Sequence, residues 1–465
     1  MRVILIFFSL TGVLFLSACS NSGGSSASDP QHVMTYGEAD MDCSHFRASL
    51  PADWQQGLLN VPENPDQPNG QMIQIFYYAK INPNSIPTVY FNGGPLSSSH
   101  GDYRALVSRQ LLFDPDKKIS MVFIDQRGNG CSQSYPQGKD PATLQRLSYY
   151  GSRGIVADAE AVRLKIWGNR PWIAAGQSYG GYIVHRYVTV HPESLTAAIS
   201  QQDVLTTDGY FRLKTRIISQ GRVLDNYFTE YPDDKARLLN LRSFLSLDKC
   251  FTNPSSTTNI KRACGYEILI PLTSFIGFTD QWLTIHQWLG IMVPASGVSE
   301  AGIQRFLKIY EFGSAANPAN SKGWAGAVID YVDRNLPFGF RCEQIRNDIL
   351  PSGIDLKNVL LSECMVQLQN PPPPANNPAP WQQNLKQDPL LISDLASVLQ
   401  ITALPFYLYS GEKDTYVPVA EFAEELAAIS KFPNVHYTDY LDSGHDGSYE
   451  EPQTWFDWQL VSTTR

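Results

Sequence analysis

A serine between glycines is the first feature of this sequence that could do chemistry. Positions 176–181 read Gly-Gln-Ser-Tyr-Gly-Gly, with a buried apolar run at 172–175 before them and a helical pattern at 182–190 after them. A serine on a sharp strand-to-helix turn is exposed, and helix N–H groups can stabilise an oxyanion formed beside it. A plain strand–helix turn is the alternative. The context favours Ser178 as the nucleophile of an acyl-transfer reaction.

A serine hydroxyl needs a base, and the base needs an acid that orients it. Near the C-terminus, only His436 and His445 follow a plausible acid. His436 lies inside the strand pattern at 435–440, whereas His445 follows that strand in a turn-rich segment. We therefore expect His445 to be the base. The acid should follow the preceding strand, which favours Asp414, with Glu412 as the alternative.

An oxyanion hole needs two N–H donors, one after the nucleophile and one from a loop after an early strand. These criteria indicate Tyr179 and Gly94, the latter in the sequence Asn-Gly-Gly-Pro at 92–95. A Gly/Pro turn without a special role is the alternative for that loop. No Cys-x-x-Cys or His-x-x-x-His spacing suggests a metal, so we expect neither a metal nor another cofactor.

The elements that position these residues follow from alternating patterns. Short apolar runs alternate with helical patterns, which indicates βαβ units and a mostly parallel sheet with helices on both faces. This alternation of strand and helix patterns stops between residues 204 and 388. Helical patterns and aromatic residues dominate there, and a proline-rich loop lies at 371–380. The alternation predicts one α/β core interrupted by a large helical insertion, and together with the serine turn at 176–181 this indicates an α/β-hydrolase fold with a helical cap. Its expected segments are a core of 41–203 and 389–465 and a cap of 204–388.

The N-terminus has the pattern of a targeting segment. A short positive start precedes an apolar run at 3–16, which is too short to span a membrane, and small residues then lead to Cys19. The pattern resembles a bacterial lipoprotein signal over 1–19 with Cys19 lipidated, followed by a flexible tether at 20–40. A plain secretion signal is the alternative. Ser20 would suit outer-membrane sorting, so we expect an exported protein anchored by lipid in the cell envelope, facing the periplasm or the exterior.

Six cysteines remain after Cys19, which in an exported chain suits three disulfides. Fifteen pairings are possible in principle. Sequence proximity favours two pairs and leaves a third: Cys250–Cys264, Cys342–Cys364 and Cys43–Cys131.

Composition narrows the classes of partner. The chain of 465 residues is 43% hydrophobic and 17% charged, as in an ordinary globular protein, and its net charge is −9. No block of Lys and Arg is present. Because nucleic-acid binding needs clustered cations, we expect no nucleic-acid partner.

Four segments resemble the prolyl aminopeptidase and tripeptidyl aminopeptidase family of α/β-hydrolase serine peptidases. The Asn-Gly-Gly-Pro loop is similar to the family's oxyanion loop, and Asp-Gln-Arg-Gly-Asn-Gly-Cys-Ser at 125–132 is similar to its most discriminating motif. The elbow at 176–181 and the segments around Asp414 and His445 also match. The resemblance implies an aminopeptidase that removes N-terminal residues or short peptides from peptides with a free N-terminus. It also implies that 125–132 is structural, with a buried Arg127–Asp125 pair bracing the loops.

Two departures from the family pattern bear on the site. Leu96 stands where the oxyanion loop usually continues with glycine. The glutamate that binds the substrate amine in the family's cap has no clear counterpart. Solvated surface roles are the alternative for the candidate acids of the cap, which are Glu230, Asp280, Glu311 and Glu343.

Two other functions stay open on the sequence alone. An esterase or amidase of the same fold would use the same triad, and an apolar pocket without an amine-binding carboxylate would favour it. A catalytically idle surface lipoprotein that uses the fold for binding is the third hypothesis, and the apparently intact triad argues against it.

Overall fold

The computed structural model describes twelve stretches of the chain. Several predicted features lie outside them: Cys19, the signal and tether, Cys342, Cys364, the proline-rich tract, Glu311 and Glu343. The described residues are 43–100, 103, 118–203, 209–245, 249–252, 262–269, 272, 275–309, 321–334, 385–415, 423–440 and 443–445. For 209–216, for 309 and for some residues within 262–269 and 321–327, this description covers the backbone alone.

An eight-stranded sheet forms the centre of the protein. Its strand order is β1-β2-β4-β3-β5-β6-β9-β10; β1 and β2 pair antiparallel with their neighbours and the remaining pairs are parallel. The strands are β1 Gln55–Pro62, β2 Met72–Lys80, β3 Ile86–Phe91, β4 Ile119–Ile124, β5 Trp172–Gln177, β6 Leu195–Gln201, β9 Phe406–Gly411 and β10 Val435–Tyr440. The predicted α/β-hydrolase fold is confirmed.

The central strands are buried on both faces, which explains their continuous apolar sequences. Alternate residues of β4 enter different cores: Val122 and Ile124 lie in one, Met121 and Phe123 in the other. This period of two is the pleat of a strand. A central strand therefore has no solvated face on which polar residues would alternate.

Helices cover both faces of the sheet. The helices of the described chain are α1 Cys43–Ser49, α2 Pro141–Leu147, α3 Ser152–Trp167, α4 Tyr179–Val190, α5 Gly209–Glu230, α6 Pro232–Phe244, α7 Trp282–Met292, α8 Glu300–Ile309, α9 Ser321–Arg334, α10 Ile392–Ile401 and α11 Ala423–Ser430. Helices α3, α4, α9, α10 and α11 contribute to one core, and Phe46 of α1 contributes to the other. None of the helices described here is long and apolar enough to cross a membrane.

Between β6 and β9, the described elements are mainly helical. They comprise α5 to α9 and a short antiparallel pair, β7 Cys250–Thr252 and β8 Arg262–Cys264. Cys250 lies directly opposite Cys264 in that pair and is itself disulfide-bonded. Nearer the N-terminus, a Cys43–Cys131 disulfide ties α1 to the loop after β4.

Candidate active site

Ser178 occupies the sharp turn between β5 and α4. Its backbone is left-handed, with φ of 54° and ψ of −122°, which is strained for a residue with a side chain. The turn is closed by glycines: a Cβ on Gly180 would overlap the carbonyl oxygen of Phe91, and one on Gly176 would overlap the carbonyl oxygen of Gly180. The serine is thus held half-exposed at the carboxyl edge of the sheet.

Asp414 and His445 form a buried pair at the same edge of the sheet. Asp414 follows β9 and His445 lies beyond β10, and their side chains are 0% and 2% exposed. The distance from His445 Nδ1 to Asp414 Oδ2 is 2.8 Å. Because the carboxylate is an acceptor, Nδ1 carries the proton and Nε2 keeps its lone pair, which is the tautomer that a general base needs.

The alternatives for these two residues lie elsewhere. Glu412 is exposed, and His436 is exposed with its ring stacked on Tyr407 at 4.8 Å between ring centres. Two of the candidate acids of the cap, Glu230 and Asp280, are also exposed, which agrees with the alternative of a surface role. These four side chains are solvated, as expected of surface residues.

Two glutamines bind the histidine loop directly to the serine turn. Gln177, next to Ser178, donates from Nε2 to the carbonyl oxygen of His445 at 2.6 Å and to Gln202 Oε1 at 2.8 Å. Gln202 donates in turn to the carbonyl oxygen of Gly444 at 2.8 Å. The serine and histidine segments are therefore brought together. Sequence reasoning missed Gln202, which follows β6 with a positive φ of 52°.

Residues from the region between β6 and β9 also contact the histidine. The His445 amide donates to the carbonyl oxygen of Gly277 at 2.7 Å, and the Phe278 ring stands perpendicular to the imidazole at 5.5 Å between centres. From α5, the Ser219 hydroxyl donates to the Asp414 carbonyl at 3.1 Å. The insertion thus helps to fix both members of the pair.

The loop after β3 runs alongside the serine. A Cβ built on Gly93 would lie 3.4 Å from Ser178 Cβ and 3.9 Å from Ser178 Oγ, so the loop backbone adjoins this serine. Gly94 has φ of 92°, a conformation that suits glycine. Tyr179 is the first residue of α4, where N–H groups lack intrahelical partners. Both predicted oxyanion donors therefore stand in segments beside Ser178.

Leu96, the departure in that loop, is accommodated in the core. It is 2% exposed and packs in the main hydrophobic cluster, where its Cδ2 lies close to Gly128. Its φ of 61° is a left-handed conformation that a glycine would adopt at lower cost. The leucine thus adds local backbone strain and core packing to the loop.

The 125–132 motif binds the loops around the site together. The buried Asp125 carboxylate accepts from the Ser99 amide and hydroxyl, the Cys131 amide and His100 Nε2, at 2.6–3.1 Å. His100, Asp125 and Cys131 have atoms close enough for a metal, but the Cys131 sulfur is in a disulfide, which removes it as a ligand. The carboxylate therefore has a structural environment.

Arg127 in the same motif does not pair with Asp125, contrary to the expectation from the sequence. It forms a two-pronged ion pair with Asp158 of α3, at 2.8 and 2.7 Å, and donates to the carbonyl oxygens of Glu63 and Tyr149. Burial raises the pKa of Asp158, and the guanidinium opposes that rise. Asp125 instead faces the Ser99 loop, so the two residues brace different elements.

Comparisons with known proteins point in the same direction as the motifs. No family model matches the chain. A probable proline iminopeptidase of Streptomyces coelicolor is 32% identical over 183 residues, which are 39% of this chain and 50% of that protein. A proline iminopeptidase of Neisseria gonorrhoeae is 30% identical over 126 residues, or 27% and 35% of the two chains. The match therefore spans about a third to half of these relatives.

A longer and more distant match extends over most of the chain. The proline iminopeptidase aneH of Aspergillus aculeatus is 23% identical over 350 residues, 66% of this chain and 75% of that protein. Among solved structures, an acetylester hydrolase from Corynebacterium glutamicum matches with a TM-score of 0.44 and 15% identity, covering 91% of this chain and all of its own. A Mycobacterium smegmatis proline iminopeptidase matches with a TM-score of 0.40 and 13% identity, covering 87% and 96%.

Proposed function

We propose that this chain, a member of the prolyl aminopeptidase family of α/β-hydrolases, is a serine aminopeptidase that removes N-terminal residues or short peptides from peptides. The observation that carries the proposal is the buried Asp414–His445 pair, hydrogen-bonded at 2.8 Å and tied by Gln177 to the strained turn that holds Ser178. Nucleophilic acyl transfer by a serine needs a base to take the hydroxyl proton and a carboxylate to orient that base, and His445 and Asp414 have this arrangement.

In the first half of the reaction, Ser178 Oγ attacks the carbonyl carbon of the scissile bond. His445 Nε2 takes the hydroxyl proton while Asp414 holds Nδ1–H and stabilises the imidazolium that forms. The carbonyl oxygen becomes an oxyanion, and the N–H groups of Tyr179 and Gly94 donate to it. The intermediate then collapses: the C–N bond breaks, and the leaving amine receives the proton from His445.

In the second half, water hydrolyses the acyl-enzyme. His445 takes a proton from the water as it attacks the ester carbonyl, and the same two N–H groups stabilise the second oxyanion. The proton returns to Ser178 as the C–O bond breaks. The released acid is the N-terminal residue or short peptide, and the enzyme is restored with no cofactor consumed.

We propose that the insertion recognises the free N-terminus of the substrate. The support is the similarity to proline iminopeptidases and the position of the residues between β6 and β9, which reach His445 through Gly277 and Phe278. An insertion over the site would also limit entry to unstructured peptide ends. Release of single residues or of tripeptides is compatible with the same core.

The test uses the full chain, purified in detergent, beside a Ser178→Ala variant. Both are assayed on chromogenic amides of proline, alanine and a tripeptide, on their N-blocked versions and on a short-chain ester. We expect cleavage of free-amine substrates alone, lost in the variant. Cleavage of the ester alone would replace the proposal with an esterase. No cleavage, together with no labelling of Ser178 by a fluorophosphonate, would favour a binding role.

We also propose that the chain is held in the cell envelope by lipid on Cys19. The support is the sequence at 1–19, which resembles a lipoprotein signal. Radiolabelled palmitate fed to expressing cells should label the wild-type chain and leave a Cys19→Ser variant unlabelled. Equal release of both chains in soluble form after fractionation would contradict the anchor.

A further inference from the structure

The C-terminal end of α9 reaches into the core behind the nucleophile. Asp333, in the last turn of this helix, is 2% exposed, and its Oδ2 accepts from the Tyr179 hydroxyl at 2.5 Å and from the Ser152 amide at 2.8 Å. The Ser152 hydroxyl donates to Oδ1 at 3.1 Å. One buried carboxylate thus joins α9, the start of α3 and the first residue of α4.

Tyr179 links Asp333 to the proposed oxyanion hole. Its side-chain hydroxyl donates to Asp333, and its backbone N–H is one of the two proposed oxyanion donors. It immediately follows Ser178 and is 1% exposed. Burial and the neighbouring Asp333 raise the pKa of Tyr179 well above its ordinary value, so the hydroxyl keeps its proton as a donor. The hydrogen bond to Asp333 holds the side chain, and with it the orientation of the residue that begins α4.

Two more contacts of α9 lie close to the same site. The Arg334 guanidinium lies over the Tyr179 ring, 5.4 Å from its centre, and pairs with Asp330 one turn earlier on the helix. Gly326, also on α9, lies near the loop after β3: a Cβ built on Gly326 would lie 3.8 Å from Pro95 Cγ. Helix α9 therefore touches both segments that carry the proposed oxyanion donors.

We propose that Asp333 is a positioning residue, which sets the direction of the Tyr179 N–H toward the oxyanion by holding the Tyr179 hydroxyl. The inference rests on the proposed function, because it assigns a role in the same reaction. The hydrogen bonds of its side chain go to Tyr179 and Ser152, so its proposed action on the reaction is through Tyr179. Its effect on rate would be transmitted by one side chain, and misplacement of a catalytic group by about 1 Å can cost on the order of 100-fold in rate.

Tyr179→Phe tests this directly, because it deletes the hydroxyl and leaves the ring and the N–H. Asp333→Asn and the double variant complete a thermodynamic cycle. Tyr182→Phe is the matched control: Tyr182 lies on the same helix, its ring stacks on Tyr179 at 6.1 Å, and its hydroxyl also binds α9, at the Asp333 carbonyl oxygen. This variant loses the hydroxyl contacts to the Asp333 carbonyl and the Leu390 amide, but it keeps the ring beside Tyr179 and the bond from the Tyr179 hydroxyl to the Asp333 carboxylate. Each full-length variant is measured for kcat, KM, Tm and the rate of labelling by a fluorophosphonate.

We expect Tyr179→Phe and Asp333→Asn each to lower kcat about 10- to 100-fold with little change in KM, and the double variant to be no worse than the stronger single one. Inhibition by a peptide boronic acid, which forms a tetrahedral adduct, should weaken by a similar factor. Tyr182→Phe should lower Tm and keep kcat. If the three single variants lose kcat in proportion to Tm, the role is structural and the proposal is overturned.

The outcomes separate this inference from the proposed function. A wild-type chain that labels at Ser178 and hydrolyses esters but not free-amine peptides would refute the aminopeptidase, and the cycle would then be run on the ester. Wild-type kcat in both Tyr179→Phe and Asp333→Asn would refute the positioning role alone. If Tyr179→Phe does not fold, Asp333→Asn carries the same comparison with Tyr182→Phe.

Discussion

Lowering the pH should destabilise the folded chain through His185, a histidine on α4, the helix that follows Ser178. Its side chain is 1% exposed, and neither ring nitrogen has a hydrogen-bond partner among the described residues. Burial lowers the pKa of His185 from 6.5 to about 3. The unfolded chain therefore takes up a proton between these pH values that the folded chain does not accept. This contribution to stability is complete above about pH 6.5 and is lost as the pH falls toward 3.

The size of the effect follows from the two pKa values. Each pH unit inside the window costs about 1.4 kcal/mol, because one pKa unit corresponds to that free energy. Between pH 7 and pH 5 the contribution of His185 should fall by about 2 kcal/mol, since the upper half unit lies outside the window. Other groups titrate in the same range, so the informative quantity is a difference between two variants.

His185→Leu isolates this contribution, because it keeps an apolar side chain of similar size and removes the titrating ring. We expect its free energy of unfolding, relative to wild type, to rise by about 2 kcal/mol from pH 7 to pH 5. Urea unfolding followed by tryptophan fluorescence at several pH values measures it. His191→Gln, at a half-exposed site where α4 ends, controls for loss of a histidine elsewhere. A wild-type-minus-His185→Leu difference that stays flat with pH would refute the reasoning.

Three further perturbations test other parts of the structure. Asp414→Asn should lower kcat on the order of 10³- to 10⁴-fold with the fold intact, because it removes the acceptor that sets the His445 tautomer; circular dichroism and steady-state kinetics check both halves. Replacing Cys43 and Cys131 by serine should cost about 2–5 kcal/mol of stability, measured by urea unfolding without reductant, and an unchanged transition would contradict this. Gly180→Ala should abolish both folding and activity, because its Cβ would overlap the backbone of β3, and soluble wild-type-like protein would contradict this.

Much of the core was predictable because its elements are encoded locally. The run at 172–175 is apolar at every position and the run at 119–124 at all but Ser120, because central parallel strands are buried on both faces. The structure has the first run as the start of β5 and the second as β4. The helix after Ser178 begins earlier than its apolar spacing suggests. Its first turn contains Gly180 and Gly181, which carry no periodic signal.

The candidate site was predictable only where a local motif marks it. Asp414 and His445 could be chosen because each follows a recognisable strand, and the structure brings them within hydrogen-bond distance. Gln202 could not be chosen in this way, because a glutamine after a strand is usually solvated. Its role depends on the left-handed backbone that turns its amide toward Gly444, 242 residues further along the chain.

Arg127 shows why a motif alone can mislead about partners. Its neighbour Asp125 is two residues away and of opposite charge, which makes it the obvious partner in the sequence. Residues two positions apart just after a strand need not face the same way, and here Arg127 points to Asp158 while Asp125 points to Ser99. Opposite charges close in sequence are a weak predictor of contact once the chain leaves regular structure.

The position of Asp333 explains how a large insertion can be tolerated beside the strained turn at Ser178. Added helices that only covered the site would be free to shift relative to the strained turn and would change its geometry. Here two residues of the inserted region form hydrogen bonds with the candidate site. The Gly277 carbonyl accepts from the His445 amide, and the Asp333 carboxylate accepts from the Tyr179 hydroxyl, although Asp333 and Tyr179 are 154 residues apart in sequence. Both bonds are buried, where an unmade partner costs about 1–3 kcal/mol. Displacing the insertion would therefore break the contacts that hold His445 and Tyr179, so the helices between β6 and β9 and the residues of the candidate site should vary together.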